Sequence, residues 1–260
     1  MKKMIRLGWK PISLLVFLLL FWELYVKIMA VPEWLLPAPS AIFKELYGGF
    51  PQWYGHLLPT TFLAITGLVI GSVIGVVTAI ILHLVPFVRQ AFYPILIVSQ
   101  NIPIIVLAPL LVIWFGFGML PKVIVIVLVC FFPITIALLD GFKQTSPDLL
   151  HYMKMAGATK GQIFTKLEWP HALPSLFSGL KISATYSVMG AVISEWLGAN
   201  KGLGVYMTLS SSSFRTDRVF VAIFIVVLLS LLFFACILMI EKKMIKWKGA
   251  GGKNNGKFGN

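Results

Sequence analysis

Charged side chains are scarce in this chain, and their scarcity already narrows its class. Only 12% of the 260 residues are Asp, Glu, Lys or Arg, against roughly 25% in a typical soluble domain. Hydrophobic residues make up 58% of the chain. This composition excludes an ordinary soluble protein and indicates a protein that lies in a membrane.

Acidic residues are scarcer still, with 9 Asp and Glu against 22 Lys and Arg and a net charge of +13. Because cytoplasmic loops of helical membrane proteins collect Lys and Arg, the basic excess does not require nucleic acid, and we expect none as a partner. With the N-terminus inside, 15 basic residues fall in inner segments, 6 in outer segments and Lys181 within a span. The distribution predicts an N-in, C-in topology.

Motifs that carry chemistry are also missing from the sequence. It contains no GxxxxGK[ST] phosphate loop, and its four histidines are scattered over different loops and helix ends. Cys130 and Cys236 fall singly within apolar runs, where we expect buried, unpaired side chains. We therefore predict that the chain is not an enzyme by itself and holds no metal or cofactor of its own.

Six apolar runs are long enough to cross a bilayer as helices. None of them alternates apolar and polar residues as a barrel strand would, so the sequence predicts an all-α bundle with spans at 11–30, 61–85, 92–117, 122–139, 176–197 and 219–240. The first run follows a basic start but lacks the small residues of a cleavage site, so we expect it to remain as an anchor.

Three segments follow from this pattern. Residues 1–59 form an anchor helix and an interfacial outer loop, in which Ser40 caps a short helix that Gly48 and Gly49 end. Residues 60–241 form the transmembrane domain. Residues 242–260 form a basic cytoplasmic tail that we expect to be disordered.

Small residues recur every four positions on two of the predicted helices. Gly67, Gly71 and Gly75 are typical of close helix packing. The fifth run has a longer stripe of small residues that includes Ser183 and Ser187. Such a face suits either tight packing or a narrow polar path, and we predict that Ser183 and Ser187 line a path.

Three polar residues in the predicted spans are further candidates. Gln100 and Asn101 are costly to expose to lipid, so they either line a passage or hold helices together. We predict that they line the side of the path opposite the serines. Glu195 lies at the outer end of the fifth run, where it is either a gating carboxylate or a structural, hydrogen-bonded acid.

A polar segment between the fourth and fifth runs contains two helix-start signals. Ser146 can cap a helix that begins at Pro147, and Gly157 ends it. Thr159 and Gln162 form a capping-box pattern that opens a second short helix of about two turns. We expect Ile163, Phe164 and Leu167 to form an exposed apolar patch on this second helix, and Pro170 and Pro174 to end it. The segment is predicted to be a docking surface in the cytosol.

This segment resembles the signature loop of ABC importer permeases. Gly157 matches the glycine of the family pattern, and Leu167, Trp169 and Pro170 match its Ile-x-Leu-Pro ending approximately, while residues 151–153 (His-Tyr-Met) replace the Glu-Ala-Ala triplet. The stretches "LPAPSAIFKEL", "LAPLLVIWFGFG" and "SGLKISATYSVMGAVISEWLGANKGLG" are also similar to the branch that serves nitrate, sulfonate, taurine and thiamine-precursor pyrimidines. The resemblance covers residues 36–240.

The resemblance implies a multi-pass permease subunit of the bacterial inner membrane with several partners. It places an ATPase-coupling loop at Gly157, Ala158, Thr159, Gln162, Ile163, Phe164, Leu167 and Pro170. The implied partners are a cytoplasmic ABC ATPase dimer that uses ATP and Mg, an extracytoplasmic solute-binding protein and a second permease copy. The implied solute is a hydroxymethylpyrimidine or related thiamine precursor, with an aliphatic sulfonate, taurine or nitrate as the alternative.

Two interpretations from other classes remain. An ion-coupled secondary transporter usually shows internal repeats and ionisable groups near the midplane. No clear repeat is visible, and Lys181 and Glu195 lie nearer the ends of their run. A membrane-bound enzyme would need a constellation of reactive residues, and the sequence offers none.

Overall fold

The computed structural model describes residues 2–245 of the chain, with side chains from residue 9 onward. All the regular secondary structure in this part of the chain is helical. In chain order the helices are α1 Lys2–Ile28, α2 Pro39–Gly48, α3 Phe50–Leu84, α4 Pro86–Ser99, α5 Ile104–Phe115, α6 Met119–Lys143, α7 Pro147–Met155, α8 Lys160–Ile163, α9 Trp169–Glu195, α10 Leu203–Ser212 and α11 Thr216–Met244. The predicted all-α fold is confirmed.

Within residues 2–245, five helical stretches are long and apolar enough to cross a membrane, namely α1, α3, α6, the continuous helix from α8 through α9, and α11. The third predicted span differs from the expectation. It consists of α4 and α5, which meet at an angle of 101° across residues 100–103. Six spans result only if this bent pair counts as one.

The break in the third span has a local cause. Pro103 has no backbone N–H, and in a continuous helix its ring would clash with the carbonyl of Ser99, the residue where α4 ends. Proline also disfavours helical angles at the preceding residue. Pro94 and Pro109 are accommodated inside α4 and α5, so only one of the three prolines, Pro103, interrupts the span.

Helices α3, α6 and α9 form the centre of the bundle, with α11 packed against α9. A Cβ atom on Gly67 would lie 2.4 Å from a side-chain carbon of Ile126, and one on Gly71 would lie 2.9 Å from Cβ of Cys130. Because only hydrogen fits at these positions, α3 and α6 approach closely. The predicted packing role of the α3 glycines is confirmed.

The peripheral helices correct two smaller expectations. Ser40 does not cap α2; its backbone N–H and Oγ donate to the carboxylate of Glu23 on α1, at 3.0 and 2.8 Å. The N-cap residue of α2 is Ala38 instead. Cys130 is buried as expected, but Cys236 is exposed, because it lies on the face of α11 that points out of the bundle.

The predicted disordered tail falls mostly outside the described residues. Residues 242–244 form the end of α11. Residues 246–260 are not among those that the structure describes.

Candidate functional site

The candidate functional residues lie in three places along the bundle. One is a cavity beside the break between α4 and α5. The second is the end of the bundle where α9 meets α10, here named the Glu195 end. The third is the opposite end, where α7 and α8 connect α6 to α9, here named the Gly157 end.

The cavity has a volume of about 670 Å³. Two of its lining residues, Gln100 and Tyr186, carry polar side-chain groups, and the rest of its wall is apolar. The apolar lining comes from α5, α6 and α9: Ile104, Ile105, Val129, Phe132, Pro133, Ile136, Ala137, Ile182, Met189, Gly190 and Ile193. Since Tyr186, Met189 and Ile182 are 42–48% exposed, the cavity is open on one side of the chain.

The side-chain amides of the two adjacent residues at the break, Gln100 and Asn101, have different surroundings. Asn101 donates from Nδ2 to the carbonyl of Ile97 at 2.7 Å, which satisfies a backbone acceptor at the end of α4. Gln100 lines the cavity, and within the described residues its side chain has no hydrogen-bond partner. Of this predicted pair, Gln100 is therefore the residue placed at the cavity.

The small-residue stripe of α9 lies in a helix–helix interface. Ser183 and Ser187 are fully buried, and Oγ of Ser183 donates to the carbonyl of Cys130 on α6 at 2.9 Å. The cavity is lined instead by a neighbouring face of α9 that carries Ile182 and Tyr186. The small side chains of the two serines allow α6 to pack closely against their face of α9. The candidate path surface on α9 is therefore the face with Ile182 and Tyr186, and not the face with the serines.

Glu195 belongs to a buried hydrogen-bonded cluster at the Glu195 end, here named the clamp, which also includes Thr60, His56 and the turn at residues 202–204. It is 2% exposed, and its two carboxylate oxygens accept from Thr60 Oγ1 at 2.7 Å and from the backbone N–H of Gly204 at 2.8 Å. Gly204 lies in the first turn of α10, where a carboxylate is favourable. A Cβ on Gly202 would lie 2.1 Å from the carboxyl carbon, so this turn must pass close to the acid. The geometry favours the structural interpretation of Glu195.

The clamp extends onto α3. Leu203 donates its backbone N–H to Thr60 Oγ1 at 2.8 Å, and Gly202 donates to Nδ1 of His56 at 3.1 Å. The turn between α9 and α10 is therefore fastened to α3 by two side chains. Sequence reasoning missed His56 and Thr60, whose one visible signal is their four-residue spacing on a helix.

At the Gly157 end, α7 terminates in a Schellman motif. Gly157 has φ +79°, its N–H donates to the carbonyl of Lys154, and the N–H of Ala158 donates to that of Met153, both at 3.0 Å. The predicted helix stop at Gly157 is confirmed. Ser146 is the N-cap residue of α7 as expected, but its side chain makes no capping hydrogen bond.

The predicted capping box is present at the start of α8. Gln162 N–H donates to Thr159 Oγ1 at 3.3 Å, and Thr159 N–H donates to Gln162 Oε1 at 2.8 Å. Thr159 and Gln162 thus begin a helix as the sequence predicted.

The expected end of this second helix is wrong. From Lys160 the chain stays helical to Glu195, passing through one π turn at Phe164–Glu168 into α9. The π turn bonds the N–H of Trp169 to the carbonyl of Phe164, which shifts the hydrogen-bond register immediately before Pro170. The missing N–H of Pro170 therefore falls where the register is changing, and the helix continues.

The expected exposed patch on the second helix faces the bundle instead. Ile163 is buried, and Phe164 and Leu167 are half-buried. The ring of Phe164 lies 5.8 Å from that of Phe142 on α6. These apolar residues pack against the bundle and anchor the segment.

The exposed apolar residues of this segment lie on α7. They recur every three positions along one side of the helix and are 51–76% exposed: Leu149, Tyr152 and Met155. Sequence reasoning missed this stripe because it assigned the docking role to the second helix.

A hydrogen-bonded histidine joins the base of the segment to α3. His83 Nε2 lies 3.0 Å from Glu168 Oε2, and the His83 ring stacks on Phe142 with 4.2 Å between centroids. Glu168 is the last residue of the π turn. The π turn is thus held to two core helices, α3 and α6.

Comparisons with known proteins identify the family. The family model described as "Binding-protein-dependent transport system inner membrane component" matches residues 71–246. The chain is 36% identical over 240 residues to the formylaminopyrimidine transport permease protein ThiX of Halalkalibacterium halodurans, covering 92% of this chain and 96% of that protein. It is 27% identical over 250 residues to the putative aliphatic sulfonates transport permease protein SsuC of Bacillus subtilis, covering 94% and 90%.

The fold agrees with this match. A solved structure of an amino acid ABC transporter aligns with a TM-score of 0.64 at 15% identity, covering 77% of this chain and 98% of the other. The chain therefore belongs to the binding-protein-dependent transport system inner membrane components, and it is the membrane-spanning permease subunit of an ABC importer.

Proposed function

We propose that this permease imports an uncharged pyrimidine of the thiamine-precursor type. The observation that carries the proposal is the 36% identity to a formylaminopyrimidine permease along 96% of that protein's length. Identity to the aliphatic sulfonate permease of Bacillus subtilis is 27%, and identity to the taurine transport system permease protein TauC of Escherichia coli is 25%.

The chemistry of the cavity supports a neutral solute. No Lys, Arg, Asp or Glu is among its lining residues in the described part of the chain. A sulfonate or nitrate ion would lose hydration there without gaining a basic partner, which is costly in a low-dielectric environment. An aromatic heterocycle instead gains contact with the apolar wall and with the rings of Phe132 and Tyr186.

Coupling to ATP hydrolysis is assigned to the Gly157 end. The exposed stripe on α7 and the Gly157 turn dock on a cytoplasmic ABC ATPase dimer, which binds ATP and Mg. Movement of α7 and α8 reaches the cavity-lining helix α9 through the π turn, while His83 and Phe142 hold the base of the segment. This arrangement requires the predicted N-in, C-in topology, with the Gly157 end in the cytoplasm.

Two further partners complete the proposal. A second copy of the permease covers the open side of the cavity, so that the solute passes between two copies of α9. An extracytoplasmic solute-binding protein delivers the solute at the Glu195 end. The exposed apolar side chains on the cavity's open side support this, because Ile105, Met189 and Ile182 are 48–57% exposed.

The test is solute uptake by the complete complex. The permease, its ATPase and its binding protein are reconstituted in vesicles, and accumulation of labelled formylaminopyrimidine, taurine, an alkanesulfonate and nitrate is compared with and without ATP. We expect ATP-dependent accumulation of the pyrimidine alone. ATP-dependent uptake of a sulfonate without the pyrimidine would overturn the proposed substrate, and pyrimidine uptake driven by an ion gradient without ATP would favour a secondary transporter.

A further inference from the structure

The break between α4 and α5 presents one free amide to the cavity. Gln100 is the C-cap residue of α4, and its backbone N–H donates to the carbonyl of Leu96 at 3.2 Å. This hydrogen bond fixes the position of the Gln100 backbone at the end of α4. Gln100 lines the cavity with an exposed side chain, and among the described residues no hydrogen bond engages its amide.

Three polar residues that neighbour lining residues along the chain already have partners. Asn101 is bonded to the end of α4, and Ser183 is bonded to the backbone of α6. Lys181 forms an ion pair with Glu241 on α11, with 2.8 Å between Nζ and Oε2. Among the described lining residues, the side-chain groups available to hydrogen-bond a solute are therefore the amide of Gln100 and the hydroxyl of Tyr186.

A primary amide has a specific complement. Its N–H₂ donates and its carbonyl accepts, side by side and in one plane. An amino group next to a ring nitrogen presents the matching acceptor and donor, which is the arrangement by which Asn and Gln recognise adenine. A sulfonate or nitrate offers acceptors alone, so it would leave the amide carbonyl of Gln100 without a donor.

We propose that Gln100 determines the solute specificity of the cavity by a paired hydrogen bond to the amino-substituted edge of a pyrimidine ring. The ring then lies against the apolar wall, where Tyr186 offers an aromatic face. The inference rests on the proposed function, since it names the residue that recognises the proposed class of solute. The break in the third span is what places this amide beside the cavity.

The test compares two solutes in the reconstituted complex. Uptake of labelled formylaminopyrimidine is measured beside uptake of an analogue in which hydrogen replaces the ring amino group, each at a saturating level of its complex with the binding protein. A good bidentate pair discriminates by roughly fivefold or more. We therefore expect Gln100→Leu to reduce uptake of the aminopyrimidine about tenfold relative to the analogue, and Gln100→Glu, which keeps one of the two hydrogen bonds, to fall between.

The matched control is Gln90→Leu, the same change at an exposed position earlier on α4 that does not line this cavity. It should behave as the wild type. An unchanged ratio of the two solutes in Gln100→Leu, or an equal loss of both, would overturn the role of Gln100 while leaving the proposed function intact. Absence of aminopyrimidine uptake by the wild-type complex would overturn the proposed function, and this inference with it.

Discussion

Replacing Gly157 tests whether coupling depends on a left-handed backbone turn between α7 and α8. Gly157 has φ +79°, and a Cβ atom built on it has no neighbour within 4 Å. The methyl group of an alanine would therefore clash with no neighbouring atom, but an alanine would strain the backbone at this positive φ. The left-handed conformation costs an L-residue about 1–2 kcal/mol, which changes the population of the turn by a factor of about 5–30.

That strain acts on the Schellman hydrogen bonds that end α7, next to the exposed stripe. We expect Gly157→Ala to reduce both uptake and solute-stimulated ATP hydrolysis several-fold while the protein stays in the membrane. Gly157→Asn should recover much of the loss, because asparagine tolerates the left-handed region better than alanine. Gly161→Ala is the matched control, since Gly161 is helical and its Cβ would also meet nothing within 4 Å.

The assay measures uptake, ATP hydrolysis and co-purification of the ATPase on the same reconstituted complex. Wild-type coupling by Gly157→Ala at equal abundance would refute the reasoning. Equal loss of uptake in Gly157→Asn and Gly157→Ala would refute it too. That result would mean that coupling depends on the absence of any side chain at this position, and not on the left-handed backbone angle.

Three further predictions concern packing, the buried clamp and topology. Gly67→Leu places a side chain where α6 packs, so it should lower the free energy of unfolding by about 1–3 kcal/mol and lower Tm in detergent. The control Gly55→Leu, at a position with open space around it, should leave Tm unchanged. Glu195→Ala leaves a buried N–H without its acceptor, which costs about 1–3 kcal/mol; a wild-type Tm with lost uptake would indicate a gating carboxylate instead. Cysteines replacing Lys160 and Lys201 should react with an impermeant label from the inside and the outside respectively, and the reverse result would contradict the topology.

Features set by short-range rules were predictable from the sequence. The stop at Gly157 and the capping box at Thr159 and Gln162 depend on residues within one or two turns, and all appear as expected. The packing role of Gly67 was predictable as well, because glycines at a four-residue spacing are typical of close helix packing in lipid.

The candidate path depended on contacts that the sequence does not display. Ser183 and Tyr186 lie within one helical turn, and which of them faces α6 is decided by the approach of that helix. Similarly, Ile163 and Phe164 are apolar enough for a docking patch, but the aromatic cluster around Phe142 buries that side of the segment. Hydropathy alone cannot distinguish an apolar side chain that binds a partner from one that anchors its own helix.

The sequence by itself determined the class, the helical fold and the family resemblance, because scarce charge, long apolar runs and local caps are read directly along the chain. The tertiary structure decided where the third span breaks open, which amide faces the cavity and which apolar stripe stays exposed on α7. These outcomes depend on which helix faces are covered by neighbours. Glu195 shows the difference most simply, because one carboxylate suits both a gate and a clamp, and its role is indicated by the donors from α3 and α10 that fold against it.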